Sequence, residues 1–227
     1  MCEAAHRSMR ATFDIHEAVG GVTLDDAFSL PARVAQGVCM WRDELLRCPK
    51  TLVRDLSRSA VAEVYCDASR TGWGGVAVVG EVISIVGGRW EEEEKGTSIN
   101  VREMLAVRNV WRALGEKIKR KPVALYIDNV TAIVTLRRTY SPAESVNNAY
   151  ERVRAALGNM GIDVVTVTYV ATKENPADAP SRADGFASFS LRGGWEAQRP
   201  SHSAVRRVVE AGLRAAAGDG ETAIPPR

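Results

Sequence analysis

The chain has 227 residues, of which 45% are hydrophobic, and its 30 Lys and Arg against 28 Asp and Glu leave a net charge of +2. This composition predicts a globular protein with a core of its own, organised as one domain with extensions or as two small domains. The near-neutral charge argues neither for nor against a nucleic-acid partner, so any basic footprint has to be local.

Two further classes are disfavoured by the sequence. No apolar run approaches the roughly 18 residues of a membrane span, so no membrane partner is expected. The four cysteines form no CxxC pair and lie at no ligand spacing from a His, which disfavours a zinc site and a disulfide framework. We therefore expect an intracellular protein in a reducing compartment, cytoplasmic or nuclear.

The N-terminal extension is predicted to cover residues 1–58. Within it, Pro31 opens an amphipathic helix over 31–47, in which Val34, Val38, Trp41 and Leu45 recur at spacings of 4, 3 and 4.

The central domain is predicted over residues 59–186. Its strands are short β-rich runs: the first three, 61–66, 76–79 and 81–86, form an antiparallel meander, and two later strands lie at 123–127 and 164–170. Helices between the later strands make those strands parallel to the first. The predicted fold is therefore α/β, with a five-stranded mixed sheet and helices on both faces.

Several local expectations accompany this fold. Asn100 is predicted to cap a helix that ends near Leu114 at Gly115, and the acidic run 91–94 is predicted to be a solvated loop. The segment 117–121 is predicted to be a basic loop, named here for its charges Lys117, Lys119, Arg120 and Lys121.

A C-terminal extension is predicted over residues 187–227. It should contain an aromatic loop around Phe186, Phe189 and Trp195, a helix near 203–216 and a disordered tail from 218 onward.

Acidic residues follow two strands of the predicted sheet. Asp67 and Asp128 each close a strand, and period-two alternation places each on the same face as a tyrosine, Tyr65 or Tyr126. Ligands of such sheets bind outside the carboxyl ends of parallel strands. Two neighbouring carboxylates repel, so a site that keeps both ionised needs a cation between them.

Two more acids are candidates for the same edge, and each has an ordinary structural explanation. Glu103 lies on the apolar stripe of its helix, although Asn100 and Glu103 also fit a capping box. Asp178 opens a helix after Asn175 and Pro176, where an acid in the first turn is favoured by the helix dipole. The four acids together favour Mg²⁺ or Mn²⁺, because oxygen ligands without His or Cys suit hard cations.

Five motifs carry a resemblance to a known family. They are Cys66-Asp-Ala-Ser-Arg-Thr-Gly-Trp-Gly74, Gly88-Arg-Trp90, Ser98-Ile-Asn-Val-Arg-Glu-Met-Leu-Ala-Val107, Tyr126-Ile-Asp-Asn-Val-Thr-Ala132 and Lys173-Glu-Asn-Pro-Ala-Asp-Ala-Pro-Ser-Arg182. In this order they closely resemble the ribonuclease H domain of retrotransposon reverse transcriptases. Elements of the DIRS-like, tyrosine-recombinase class come nearest and gypsy-like elements next. The resemblance covers about residues 61–185, and the helix at 31–47 looks like the end of a connection region.

The resemblance implies a ribonuclease H-like fold and hydrolysis of the RNA strand of an RNA·DNA hybrid with two Mg²⁺ or Mn²⁺ ions. Asp67, Glu103, Asp128 and Asp178 match the family's metal-binding catalytic acids, and Glu103 would also face the 2′-hydroxyl of the RNA. A polymerase domain of the parent reverse transcriptase is a candidate partner. Residues expected to bind the hybrid come from the motifs and the basic loop: Ser69, Trp73, Asn100, Asn129, Arg182, Lys117, Lys119, Arg120 and Lys121.

One position departs from the family. Relatives often carry a His nine or ten residues before the last acid, where this chain has Tyr169, so Tyr169 is either a weaker helper of the reaction or a packing residue beside Val165 and Val167.

Two rival functions remain open. The first is a catalytically inactive, domesticated ribonuclease H-like domain that binds nucleic acid or acts as a scaffold, which the presence of all four acids disfavours. The second is an integrase or resolvase of the same fold, which the long final motif with Asp178 and Arg182 disfavours.

Overall fold

The computed structural model describes residues 60–183, 187–193 and 200–217, together with the helical positions Ala32, Ala35, Cys39 and Arg42. Residues 1–55 and 56–227 are two separate units, and the fold below is that of the second. The rest of the helix predicted at 31–47 and the tail predicted from 218 lie outside the described residues.

One mixed sheet of six strands forms the centre of the fold, in the order β5-β4-β1-β2-β3-β6. The pairs β1–β2, β2–β3 and β3–β6 are antiparallel, whereas β1–β4 and β4–β5 are parallel. The predicted meander and the two parallel strands are confirmed. The strands are β1 (Ala62–Ala68), β2 (Gly72–Val79), β3 (Val82–Arg89), β4 (Pro122–Ile127), β5 (Asp163–Tyr169) and β6 (Ala187–Arg192).

The sixth strand corrects the prediction of five. Residues 187–192 were expected in an aromatic loop, but Ile85 of β3 pairs with Phe189, and the backbone of β6 completes the exposed edge of β3. Strand β6 pairs with the backbone donors and acceptors at the edge of β3, which lies about a hundred residues earlier in the chain. The sequence around 187–192 carries no sign of such a distant partner.

Helices cover both faces of the sheet, as predicted. On one face α2 and α4 pack over the core of Val64, Cys66 and their neighbours, and on the other α6 packs on Tyr65, Val76 and Ile83. None of the described helices is long and apolar enough to cross a membrane. The helices are α1 (Glu92–Lys95), α2 (Ile99–Ile118), α3 (Val130–Arg138), α4 (Glu144–Met160), α5 (Asp178–Arg182) and α6 (His202–Ala217), with a 3₁₀ turn at Thr172–Glu174.

Helix α2 differs from its prediction at both ends. Ser98, not Asn100, is its N-cap, and the Ser98 side chain accepts a hydrogen bond from the Val101 amide. The helix also continues through Gly115 to Ile118. A Cβ at Gly115 would overlap Sδ of Met160, so this glycine permits close packing of α2 against α4 and does not end the helix.

The acidic run 91–94 is also not a loop. It contains the short helix α1, and Glu94 is buried with its carboxylate 2.6 Å from the guanidinium of Arg108. The prediction of a solvated run therefore holds for Glu91, Glu92 and Glu93, which are exposed, and is wrong for Glu94, which is paired inside the protein.

Candidate active site

Two carboxylates meet at the carboxyl edge of the parallel strands. Tyr65 of β1 pairs with Tyr126 of β4, and their rings stack with centroids 4.8 Å apart and an interplanar angle of 17°. Asp67 lies two residues beyond Tyr65 and Asp128 two residues beyond Tyr126, each on the same side of the sheet as its tyrosine. The twofold Tyr-x-Asp pattern therefore brings the acids together as expected.

Glu103 of α2 completes a cluster with these two acids. One carboxylate oxygen from each of Asp67, Glu103 and Asp128 lies within 4.8 Å of the others. Asp67 and Glu103 are each only 3% exposed. The alternative of a capping box is wrong for Glu103, because the helix is capped at Ser98.

Burial and mutual repulsion raise the pKa values of two acids of this cluster. Burial, with further contributions from Asp128 and Asp178, raises the pKa of Asp67 to about 6, even though a hydrogen bond from Ser181 lowers it. Burial and the charges of Asp67 and Asp128 raise the pKa of Glu103 to about 9. A group of acids that resists ionisation in this way gains stability from a bound cation.

Three residues that sequence reasoning missed hold the acids in place. The Ser181 hydroxyl donates to Oδ2 of Asp67, and the Thr172 hydroxyl donates to Oδ2 of Asp128 at 2.7 Å. Asn175 donates from Nδ2 to the Cys66 carbonyl at 3.1 Å. Asn175 and Ser181 belong to the final motif, and Thr172 immediately precedes it. This position in the sequence was the only signal that could have identified them.

A close backbone contact positions this segment. A Cβ at Gly74 would overlap the Ala177 carbonyl oxygen and the Ser181 amide, so the glycine lets α5 lie directly on β2. Asp178 starts α5 and is thereby delivered near Asp67.

The cluster fits a hard divalent cation. Glu103 Oε2 is buried and has no hydrogen-bond partner, although a buried carboxylate oxygen is costly to leave unpaired. Asp67, Glu103 and Asp128 supply only oxygen ligands, the type that Mg²⁺ and Mn²⁺ prefer.

Asp178, the fourth predicted acid, is not part of the three-carboxylate cluster. Its Oδ1 accepts hydrogen bonds from Arg182 at 2.7 and 2.8 Å, and its Oδ2 lies 3.3 Å from Nη2 of Arg206. Arg206, on α6, was not predicted. It also donates to the Thr172 carbonyl at 2.8 Å, so α6 is tied to the segment that supports Asp128.

Three of the predicted hybrid-binding residues have structural contacts of their own. Ser69 is buried and donates to the carbonyls of Gly72 and Ser181, which ties the β1–β2 turn to α5. Trp73 is 8% exposed and packs in the core. Arg182 is exposed and pairs with Asp178.

The two predicted asparagines lie beside the acids. Asn129 follows Asp128, caps α3 through the Ala132 amide and donates to Oδ1 of Asn100 at 3.1 Å. Because both side chains are partly exposed next to the cluster, the structure places them where a substrate could reach them.

The basic loop lies at the other end of β4 from the acids. It precedes β4, which is six residues long and therefore spans about 17 Å, whereas Asp128 follows β4. Lys117 belongs to α2 and donates to Ser84 and Ser190 at 3.1 and 2.9 Å, and Lys119 pairs with Glu116 at 3.4 Å. The structure does not bring this loop to the candidate site.

Tyr169 ends β5 and is 54% exposed. Its backbone pairs with Ile127, the residue before Asp128, so it lies at the same edge as the acids. The alternative that it packs in the core beside Val165 and Val167 is wrong.

No protein-family model and no curated protein matches the chain. The chain is similar to three solved structures, at TM-scores of 0.41, 0.37 and 0.33 and identities of 20%, 11% and 13%. They are RNase H1 of the archaeon Halobacterium salinarum NRC-1, the N-terminal RNase H domain of a Mycobacterium tuberculosis protein fused to maltose-binding protein, and LC11-RNase H1 in complex with an RNA/DNA hybrid. The similarities cover 52%, 54% and 54% of this chain and 91%, 91% and 93% of those chains, in the same order.

The fold class predicted from the sequence is confirmed. The described residues form an α/β fold with a mixed sheet and helices on both faces, with six strands in place of five.

Proposed function

We propose that this protein is a metal-dependent endoribonuclease that hydrolyses the RNA strand of RNA·DNA hybrids. The observation that carries the proposal is the cluster of Asp67, Glu103 and Asp128, whose carboxylate oxygens lie within 4.8 Å of one another at the carboxyl edge of the parallel strands. The buried Oε2 of Glu103, which has no hydrogen-bond partner, supports a cation at this cluster.

The roles of the acids follow from their positions. Asp67, Glu103 and Asp128 would hold Mg²⁺ or Mn²⁺, and the Glu103 carboxyl would release its proton when the cation binds. When bound, two such ions would lower the pKa of an attacking water and neutralise negative charge on the leaving oxygen. Ser181 and Thr172 keep the carboxylates of Asp67 and Asp128 oriented throughout.

Glu103 and Asp178 are assigned further roles in this proposal. Glu103 would accept a hydrogen bond from the 2′-hydroxyl of the RNA, the group that distinguishes RNA from DNA. Asp178 would serve as the fourth acid, with Oδ1 still paired to Arg182, and its Oδ2 would first have to exchange Arg206 for the cation.

Cleavage assays with purified protein test the activity. Labelled RNA·DNA hybrid, double-stranded RNA and double-stranded DNA are incubated in Mg²⁺, in Mn²⁺ and in EDTA. We expect cleavage of the RNA strand of the hybrid only, and only with a divalent ion. Cleavage of the DNA duplex in preference to the hybrid would instead indicate an integrase or resolvase.

A variant separates catalysis from binding. Asp67→Asn keeps the shape of the side chain but removes its charge, so cleavage should fall by at least about 10³-fold while hybrid binding in EDTA is retained. The matched control is Glu116→Gln on the exposed side of α2, which should cleave like the wild type. Hybrid binding without cleavage by the wild type would support the domesticated, inactive alternative.

The setting of the activity is a separate proposal. The five motifs support assignment to the ribonuclease H part of a retroelement reverse transcriptase, acting beside a polymerase domain in an intracellular compartment, cytoplasmic or nuclear. The coding sequence around this segment tests it: an adjoining polymerase domain with a Tyr-x-Asp-Asp motif is expected, and its absence there would contradict the assignment.

A further inference from the structure

A groove rich in arginine lies between α2 and α4, away from the acidic cluster. It encloses about 380 Å³ and is lined by Arg108, Arg112, Arg152, Ala155, Ala156 and Met160. Arg112 follows Glu103 by nine residues, which corresponds to about 180° around the helix and about 13 Å along it. The groove therefore faces away from the candidate active site.

The charges of the groove are largely uncompensated. Arg108 is buried and held by Glu94 at 2.6 Å and by Asn109 at 2.7 Å, so its guanidinium is fixed and its charge is paired. Arg112 and Arg152 are exposed and make no ion pair or side-chain hydrogen bond in the part of the chain that the structure describes. No acidic residue lines the groove. Two cationic side chains thus face a cavity without a counter-ion.

The floor of the groove strengthens this field. Ala155 and Ala156 leave room between the helices, and Ala156 is only 7% exposed. An apolar floor lowers the local dielectric constant, so an anion there interacts with the guanidinium groups more strongly than at an open surface.

We propose that this groove binds phosphate groups of a nucleic-acid backbone, as a second contact surface remote from the acids. The inference rests on the proposed function, because it assigns the groove to the same substrate class. Arginine presents a planar fork that suits phosphate oxygens, and two free guanidinium groups can pair with two phosphates of a backbone. The volume exceeds that of a single phosphate, and a floor of alanines with one methionine offers no deep pocket to anchor the side chains of an acidic peptide.

The test compares two double variants of equal charge. Arg112→Gln with Arg152→Gln removes the free cations of the groove. Arg207→Gln with Arg214→Gln removes two exposed arginines from α6 and is the matched control. Binding of fluorescent RNA·DNA hybrid is measured by anisotropy in EDTA, over a series of salt concentrations, after thermal unfolding has shown that both variants are folded.

We expect the groove variant to lose about five- to tenfold in affinity at low salt and its salt slope to fall by about 1.4 to 1.8, because two fewer phosphates are neutralised. The control should retain the wild-type slope. Equal losses in both variants would show only an effect of net charge, and no loss in the groove variant would show that the groove makes no phosphate contact. Either result overturns the inference.

Competition identifies the source of the anion. Unlabelled hybrid should displace the probe, whereas inorganic phosphate or poly-glutamate at equal charge concentration should not. Displacement by either of these that depends on Arg112 and Arg152 would overturn the nucleic-acid assignment.

The outcome is distinguishable from that of the proposed function. If the wild type cleaves hybrid in Mn²⁺ but the groove variant keeps the wild-type salt slope, only the groove inference is refuted. If the groove variant has a lowered salt slope but the wild type does not cleave, the groove inference holds and the proposed nuclease function is refuted.

Discussion

Replacing Glu103 by Gln should stabilise the protein when no divalent cation is present. Gln keeps the size of the side chain but carries no charge beside Asp67 and Asp128. An ionised Glu103 within 4.8 Å of Asp67 or Asp128 would be repelled by about 3.5 kcal/mol at an effective dielectric constant of 20, and the folded wild type avoids this at pH 8 only by keeping a proton on Glu103, which itself costs free energy. Relaxation around the site reduces this, so we expect the free energy of unfolding in EDTA at pH 8 to rise by about 2 kcal/mol.

The gain should depend on pH in a defined direction. Burial raises the pKa of Glu103 from 4.5 in the unfolded chain to about 9 in the folded protein, so the folded state binds the extra proton between these values. The wild type therefore loses stability as pH rises through that window, and it is most stable near its acidic end. The advantage of Gln should be smallest at pH 5, grow as the pH rises, and level off above about pH 9.

Chemical denaturation followed by tryptophan fluorescence measures both effects, first in EDTA and then with Mn²⁺. A cation bound at 100 times its Kd stabilises the wild type by about 2.7 kcal/mol, whereas the variant, short of one ligand, should gain less. Glu116→Gln, at an exposed position of the same helix, is the control and should change stability by less than about 0.5 kcal/mol. If the Glu103→Gln protein is no more stable than the wild type in EDTA at pH 8, the argument that Glu103 is destabilised by burial beside Asp67 and Asp128 is refuted.

Three further outcomes are expected. Arg206→Met should lower the Mn²⁺ concentration needed for half-maximal cleavage by about two- to fivefold, because Asp178 loses a competing cation; Arg207→Met on the same helix should leave it unchanged, and a higher requirement would show that Arg206 positions Asp178 for the metal. Replacing the four charges of the basic loop by Ala should lower the salt slope of hybrid binding less than the groove variant does, since Lys117 and Lys119 already contact Ser84, Ser190 and Glu116. A larger effect would show that the loop contacts the hybrid. Tyr169→His should raise steady-state turnover more than single-turnover cleavage, because a His of pKa ~6.5 can shuttle protons near neutrality and Tyr cannot; equal rates in both regimes would leave this position without a catalytic role.

The parts of this protein that depend on local pattern could be read from the sequence. Alternation along β1 and β4 places Tyr65 with Asp67 and Tyr126 with Asp128, and the order of strands and helices makes the two strands parallel neighbours. Glu103 could be placed on the inner face of its helix by its spacing from Val107 and Val110. These inferences succeed because side-chain direction within one element follows from its periodicity.

Tertiary structure decided the features that join residues distant in the chain. Strand β6 forms because the edge of β3 is available for backbone pairing. The ion pair between Arg206 and Asp178 forms because α6 packs against the sheet. The ion pair of Glu94 with Arg108 buries one acid of a run whose other three members, residues 91–93, are exposed. Hydrogen bonds and ion pairs of this kind are set by packing between elements, for which periodicity within one element carries no information.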